Sequence, residues 1–316
     1  MPELPEVETI RCDLQKKIVG TKIVSVELKD KKIGEAKNFA KFLVGKKISA
    51  VERIGKLLIL KISAAQYLLI HLKMTGQLVF EDREELIAGG HEFLKNSPLG
   101  RGGAASATGW VGGRPALSEV EGGVSLEEIG GKLPNKYTRF ILNFSGDKKL
   151  FFNDTRRFGY VKLVDNNELA AIKTRFGIEP LQNNFTLANL KKVFANRRAP
   201  VKSILMDQQK ISGIGNIYAS EILFAARVKP TRMANSLTAQ EITKIFQASK
   251  AILKNAIKHR GTTFSDYVDA SGNKGGFSKL LKVYEREGDP CFGCSGKIKN
   301  IKIAGRSTYF CEKCQK

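Results

Sequence analysis

No part of this chain stays apolar for long. Such runs as Leu57 to Leu60 and Tyr67 to Ile70 fall far short of the roughly 18 residues that a bilayer-crossing helix needs, which excludes a membrane span. Also missing is a basic N-terminal region followed by an apolar stretch: three acids fall within the first eight residues. No secretory signal is expected, and the expected compartment is the reducing cytoplasm. Acidic residues are scarce overall, 31 against 53 Lys and Arg, and the resulting net charge of +22 makes a polyanion the first expected partner. Cysteine is scarce too. Only five occur, and four of them are regularly spaced, which in a reducing compartment points to metal ligands rather than disulfides. What is present is ordinary for a folded protein: 42% hydrophobic and 27% charged residues over 316 positions exclude a disordered or collagen-like chain and suggest two domains with a small extra module.

Val7, Ile10, Leu14 and Ile18 recur at helical spacing, with Pro5 suited to a first turn and Gly20 to a stop, which predicts a helix near residues 5 to 19. From Lys22 to Phe80 the texture is one of short β-rich runs, resuming at Arg139 to Phe144 and Leu150 to Phe152. Residues 86–131 fit neither portion. They hold 12 of the 30 glycines and the only tryptophan, Trp110, and they carry five acids against three bases. We read them as a flexible insertion, with a functional lid as the alternative. Beyond Gly177-Ile178-Glu179-Pro180, apolar residues at three and four spacing predict helices over 186–195, 201–208, 216–226 and 238–258. The tail from Gly288 is short, basic and cysteine-bearing. These shifts divide the chain into 1–176, 177–284 and 285–316.

Cys291-x2-Cys294-x16-Cys311-x2-Cys314 is the four-thiolate pattern of a structural zinc site. Each pair supplies two ligands from one turn, and a β-hairpin between the pairs closes a tetrahedron with no open position. One Zn2+ is therefore expected to hold the fold and to take no part in chemistry. Lys297, Lys299, Lys302 and Arg306 surround it, and Arg306, near the hairpin turn, is the candidate for entering a nucleic-acid groove. Ile211-Ser212-Gly213-Ile214-Gly215-Asn216 joins two apolar helices. Its glycines and a helix N-terminus capped by Asn216 suit a DNA phosphate, although a plain turn between helices fits the same residues. Arg197, Arg198, Lys202 and Lys210 nearby favour phosphate. Removal of Met1 would expose Pro2 as a secondary amine. An α-amino group has a reference pKa of ~8 against ~10.4 for lysine, so far more of it is free base at neutral pH. Such an amine can attack a sugar C1′, and Glu3 beside it can exchange protons with the sugar or the departing base; taken alone, the same residues also fit a simple loop before a helix.

Met1-Pro2-Glu3-Leu4-Pro5-Glu6-Val7-Glu8-Thr9, His71-Leu72-Lys73-Met74-Thr75-Gly76, Asp154-Thr155-Arg156-Arg157-Phe158-Gly159, Gly213 to Glu221 and the cysteine tail together resemble the formamidopyrimidine-DNA glycosylases, the bacterial 8-oxoguanine repair enzymes. The resemblance covers nearly all of the chain outside residues 86–131. It implies an α+β fold: an N-terminal β-sandwich carrying the catalytic helix, a helix-two-turn-helix domain and a C-terminal zinc-finger hairpin. It also implies a glycosylase with abasic-site lyase activity, acting as a monomer on double-stranded DNA that holds an oxidised purine or an abasic site.

By the same resemblance Pro2 is the nucleophile and Schiff-base residue, Glu3 the proton-transfer partner, and Lys56 the hairpin lysine that contacts the lesion nucleotide. Glu6 supports the active site among the DNA-facing set. Met74, Arg156 and Phe158 fill the gap left by the extruded base. Lys202, Asn216 and Arg306 match phosphate-binding positions, and Thr262 to Phe277 matches a loop that closes over the flipped base. Lys136-Tyr137-Thr138-Arg139 departs from the family, which often has histidines in place of Tyr137 and Arg139; Arg139 is still suited to a phosphate. Two other readings stay open: an endonuclease VIII type of glycosylase for oxidised pyrimidines, and a non-catalytic zinc-containing DNA-binding protein.

Overall fold

The computed structural model describes every residue except 34, 35, 64, 83–85, 92–130, 263–266 and 269–275. Helix α1 (Leu4–Ile18) runs through the N-terminal domain. Its expected apolar stripe, Val7, Ile10, Leu14 and Ile18, is buried against two antiparallel sheets, each such side chain contributing roughly 1.5–3 kcal/mol. One sheet has the order β2-β3-β4-β9, built from β2 (Ala50–Ile54), β3 (Leu57–Ser63), β4 (Gln66–His71) and β9 (Tyr160–Asp165). The other has the order β1-β7-β8-β5-β6-β10, built from β1 (Ile23–Leu28), β7 (Thr138–Phe144), β8 (Lys148–Asp154), β5 (Gly76–Glu81), β6 (Leu86–His91) and β10 (Tyr267–Val268).

Strand β3 shows why its sequence is apolar without alternation. Leu58, Leu60 and Ile62 enter the core between the sheets, while Leu57 and Ile59 pack with Leu69, Val164 and Leu169 on the other face. That second face is covered by α3 (Asn166–Lys173), so both sides of the strand are buried.

Two expectations need correction here. Within the stretch read as β-rich, Ala36–Leu43 form a helix, α2, whose Phe39 and Leu43 reach the core. An apolar pair four residues apart is too short a stripe to stand out from the β-rich runs around it. Residues 86–91, counted with the insertion, are strand β6: it pairs with β5 from Gln77↔Gly90 to Glu81↔Leu86, and with β10 through Tyr267↔His91. Main-chain hydrogen bonding makes this strand, and glycines supply it as well as other residues do. The remainder of that segment, 92–130, and most of the loop expected over 262–277 lie outside the described residues.

The second domain holds α4 (Leu187–Ala195), α5 (Val201–Met206), α6 (Asn216–Ala225) and α7 (Ala239–Lys258) around their own apolar cluster. The tail is a hairpin of β11 (Ile298–Ile303) and β12 (Arg306–Cys311), with Val283 and Ile298 packed beside its cysteines.

Candidate active site and nucleic-acid interface

The turn before α6 exists for the N-terminus of the chain. Leu4 N–H donates to the Gly213 carbonyl at 3.0 Å. A Cβ at Gly213, whose φ is +93°, would sit 2.6 Å from Leu4 Cδ1, and one at Gly215 would sit 2.3 Å from Glu3 Cδ. These glycines therefore admit α1 rather than a phosphate. The first amides of α6 are likewise occupied: Gly215 N–H donates to Glu3 Oε2 at 2.7 Å and Ile217 N–H to Oε1 at 2.9 Å. The carboxylate sits where the helix dipole favours a negative charge. Asn216 is then not the cap. Gly215 holds that position, and the Asn216 side chain turns to the zinc hairpin instead.

Burial pushes the Glu3 carboxyl above its usual range, against the opposing pull of the Lys56 charge. Lys56 is buried in the β2–β3 turn. Burial lowers its ammonium pKa, Glu3 and Glu6 oppose that shift, and Arg306 and Lys73 add to it. Acid and amine thus share one desolvated volume, and each carries a pKa displaced toward neutrality, as proton transfer requires. The turn that presents Lys56 is clamped from the linker to the second domain: Gly55 N–H donates to Glu179 Oε2 at 2.6 Å, and Arg53 pairs with Glu179 at 2.7 Å and with Glu8 at 2.9 Å.

Glu6 is buried and holds protein groups. Its Oε2 accepts Glu3 N–H at 2.8 Å, and its Oε1 accepts Tyr218 Oη–H at 2.6 Å and Thr262 N–H at 2.8 Å. It ties the N-terminal arm to α6 and to the chain beyond α7, which fits support of the site and not direct contact with DNA. Tyr218, Thr262, Arg53 and Glu179 were missed by sequence reasoning. Tyr218 stands inside the quoted Gly213 to Glu221 motif and Glu179 in Gly177-Ile178-Glu179-Pro180, but nothing in their spacing gives their partners.

Lys202 is only 1% exposed. Its Nζ donates to the Ser307 carbonyl at 3.1 Å and to Thr308 Oγ1 at 2.9 Å, and burial lowers its pKa to about 7. Asn216 Nδ2 donates to the same Ser307 carbonyl at 3.0 Å. Two of the three residues expected at phosphate therefore grip the hairpin beside Arg306, which is itself exposed.

Met74 and Phe158 are 39% and 50% exposed, against the core packing that their residue types would otherwise suggest. Asp154 joins their loops: it bonds Thr75 Oγ1, Arg156 N–H at 3.1 Å and Gly159 N–H at 2.7 Å. The Arg156 guanidinium lies 4.8 Å from the Phe158 ring centroid. The two exposed apolar side chains and the guanidinium thus sit on loops tied together by Asp154. Arg139 does not reach the surface as a phosphate ligand would. It is buried, and its Nε donates to the Asp154 carbonyl at 2.9 Å.

The sulfur atoms of Cys291, Cys294, Cys311 and Cys314 all lie within 4.8 Å of one another, with Cys291–Cys314 at 3.8 Å and Cys294–Cys311 at 3.5 Å. Zn–S bonds of about 2.3 Å give a tetrahedron with edges of about 3.8 Å, so the four thiolates fit zinc. Gly293 and Gly296 N–H groups donate to Cys291 and Cys294 sulfurs at 3.3 Å each, which supports their charge. Replacing Cys291 by Ser will release the metal and abolish tight DNA binding while the sandwich stays folded, because the two cores are separate. Zinc content measured alongside circular dichroism checks this; a variant that keeps both metal and binding refutes it.

Comparison with known proteins places three family models along the chain. "Formamidopyrimidine-DNA glycosylase N-terminal domain" matches residues 1–161, "Formamidopyrimidine-DNA glycosylase H2TH domain" 176–268, and "Zinc finger found in FPG and IleRS" 288–316. Formamidopyrimidine-DNA glycosylases of Pelotomaculum thermopropionicum and Desulforamulus reducens are 37% and 38% identical, over 100% of this chain and 99% of each relative. These alignments run through residues 86–131, the segment set outside the resemblance above. A Lactococcus lactis Fpg bound to abasic-site DNA superposes with a TM-score of 0.77 at 28% identity, covering 99% of both chains. A mutant of that protein bound to DNA containing Fapy-dG superposes at 0.78, also at 28% identity and covering both chains entirely. Among the described residues no helix is long and apolar enough to cross a membrane.

Proposed function

The chain belongs to the formamidopyrimidine-DNA glycosylase family, and from that premise we propose that it excises oxidised purines and cleaves the DNA strand at the resulting abasic site, as a base-excision repair enzyme. The observation that carries this reading is the seat of Glu3 on the first amides of α6, with Lys56 in the same buried volume. A protein that only binds DNA has no need to desolvate an acid and an amine together.

In this reading the lesion nucleotide is extruded, and Met74, Arg156 and Phe158 fill the gap, Arg156 hydrogen-bonding the orphaned base. Glu3, held protonated more readily by its burial, gives its proton as the base departs. The Pro2 nitrogen attacks C1′ and the bond to the base breaks; the nitrogen then loses its proton, and its lone pair forms the iminium as the C1′–O4′ bond breaks and the sugar ring opens, O4′ taking up a proton. Loss of a C2′ proton then expels the 3′ phosphate, and a further elimination expels the 5′ phosphate. Lys56 contacts the lesion nucleotide, Arg306 meets a phosphate, and Lys202 and Asn216 hold its hairpin in place. The zinc ion is structural, since four thiolates fill its coordination. We divide the chain into a catalytic domain to 176, a helix-two-turn-helix domain to 284 and a zinc finger. We assign it to the cytoplasm as a monomer, where chromosomal DNA and reduced thiols coexist.

Duplexes carrying 8-oxoguanine, a formamidopyrimidine, an oxidised pyrimidine or an abasic site test the assignment. We expect release of both purine lesions and phosphate ends on each side of the abasic site. Faster release of the pyrimidine favours the endonuclease VIII type, and binding without product leaves a DNA-binding protein.

A further inference from the structure

Lys56 also lines a cavity of about 490 Å3 walled by β4, β9, α3 and the start of the linker to the second domain, a volume within the range of small-ligand sites. Its walls carry four basic side chains, Lys56, Lys73, Lys162 and Arg175, and a single acid, Glu168. Leaving aside Lys56, whose burial lowers its pKa, three cations against one carboxylate leave an excess of two positive charges. The acid is already spoken for, since Glu168 Oε1 lies 3.0 Å from Lys162 Nζ. Neither Lys73 nor Arg175 has an ion-pair partner among the described residues.

Two further groups shape the cavity. The Lys73 N–H donates to His71 Nδ1 at 3.0 Å, leaving Nε2 as the ring's donor. Burial and the adjoining lysine charges hold His71 down at about 3, so the ring is a neutral donor. Lys73 Nζ lies 5.9 Å from the Tyr160 ring centroid. Lys162 and Arg175 have no part in the amine chemistry set out above, and Lys73 enters it only through its charge acting on Lys56.

We propose that this cavity is a product-end site: it holds the terminal phosphomonoester created when the strand is cut, and thereby sets how fast the nicked DNA leaves. The inference rests on the function proposed above, which converts phosphodiesters at the abasic site into phosphomonoesters. A diester carries one negative charge, whereas a monoester carries about −1.5 to −2 at pH 7 and has three free acceptor oxygens. A cationic cavity that shares Lys56 with the reaction centre therefore gains affinity as the substrate becomes product. The 3′- and 5′-terminal phosphates share this chemistry, and the probes separate them.

Four duplexes with a one-nucleotide gap serve as probes: phosphate on both ends, on the 3′ end only, on the 5′ end only, and on neither. We expect one terminal phosphate to tighten binding about tenfold over the corresponding hydroxyl, the size of a charge-assisted contact. Replacing Lys162 and Arg175 together by Ala should erase the preference and raise the steady-state turnover rate toward the single-turnover rate. Glu168→Gln should act in the opposite direction. It removes the only acid of the cavity while a Gln can keep the capping box that Glu168 forms with Asp165 at the start of α3, so phosphate-ended gaps should bind a few-fold tighter, roughly the worth of one exposed ion pair. Equal affinity for phosphate and hydroxyl ends in the unaltered protein overturns the proposal, as does a preference that survives the double substitution. Failure to cut abasic DNA at all would instead overturn the functional reading, and the gap-binding comparison does not depend on cutting.

Discussion

An enzyme that keeps Met1, or carries one extra residue before Pro2, will give no borohydride-reduced adduct with an abasic or 8-oxoguanine duplex. The form with a free Pro2 amine will give one, on its N-terminal peptide. The reason is chemical: a nitrogen acylated by a preceding residue has lost the lone pair that attacks C1′. Binding should change by no more than a few fold, because the seat of Glu3 on α6 and the grip of Lys202 and Asn216 on the hairpin do not involve that nitrogen. Met1 is exposed and Pro2 buried, so the bond between them lies at the boundary of the site. Lys56 is a competing amine, since it shares the buried volume of Glu3 and burial lowers its pKa. Digestion of the adduct decides between them, and a cross-link on Lys56 refutes the assignment.

Glu3→Gln and Gly215→Ala will converge on one phenotype from opposite directions. The first removes the proton donor and should slow excision of 8-oxoguanine by roughly 100- to 10,000-fold, the usual worth of general acid-base catalysis. A pre-formed abasic site, which needs no base departure, should remain a substrate. The second leaves Glu3 intact but places a methyl group 2.3 Å from its Cδ, so the carboxylate must leave the first amides of α6. Single-turnover rates on the two substrates measure both effects. If Gly215→Ala slows excision and abasic-site cleavage equally while lowering the melting temperature, the methyl group has damaged the fold and the seat is not a catalytic device.

Much of this molecule can be read without its structure because the relevant signals are local. Cysteine spacing reports a tetrahedron, since each pair of ligands comes from one turn of chain. The stripe from Val7 to Ile18 reports a helix and its buried face. The surplus of lysine and arginine reports a polyanionic partner. What the sequence could not settle lies in contacts between residues far apart along the chain. The glycines before α6 suit a phosphate as well as they suit Glu3, and only the approach of α1 across more than two hundred positions decides between them. Lys202 has the residue type of a phosphate ligand, yet it is turned inward because its buried ammonium donates to the Ser307 carbonyl of the zinc hairpin. Leu86 to His91 read as the start of a loop, and became a strand because β5 had an edge to pair. Local sequence specifies which backbone conformations and which chemical groups are available. Tertiary structure alone decides which of those groups are desolvated and what they face, because both depend on neighbours that the chain brings together only when it folds.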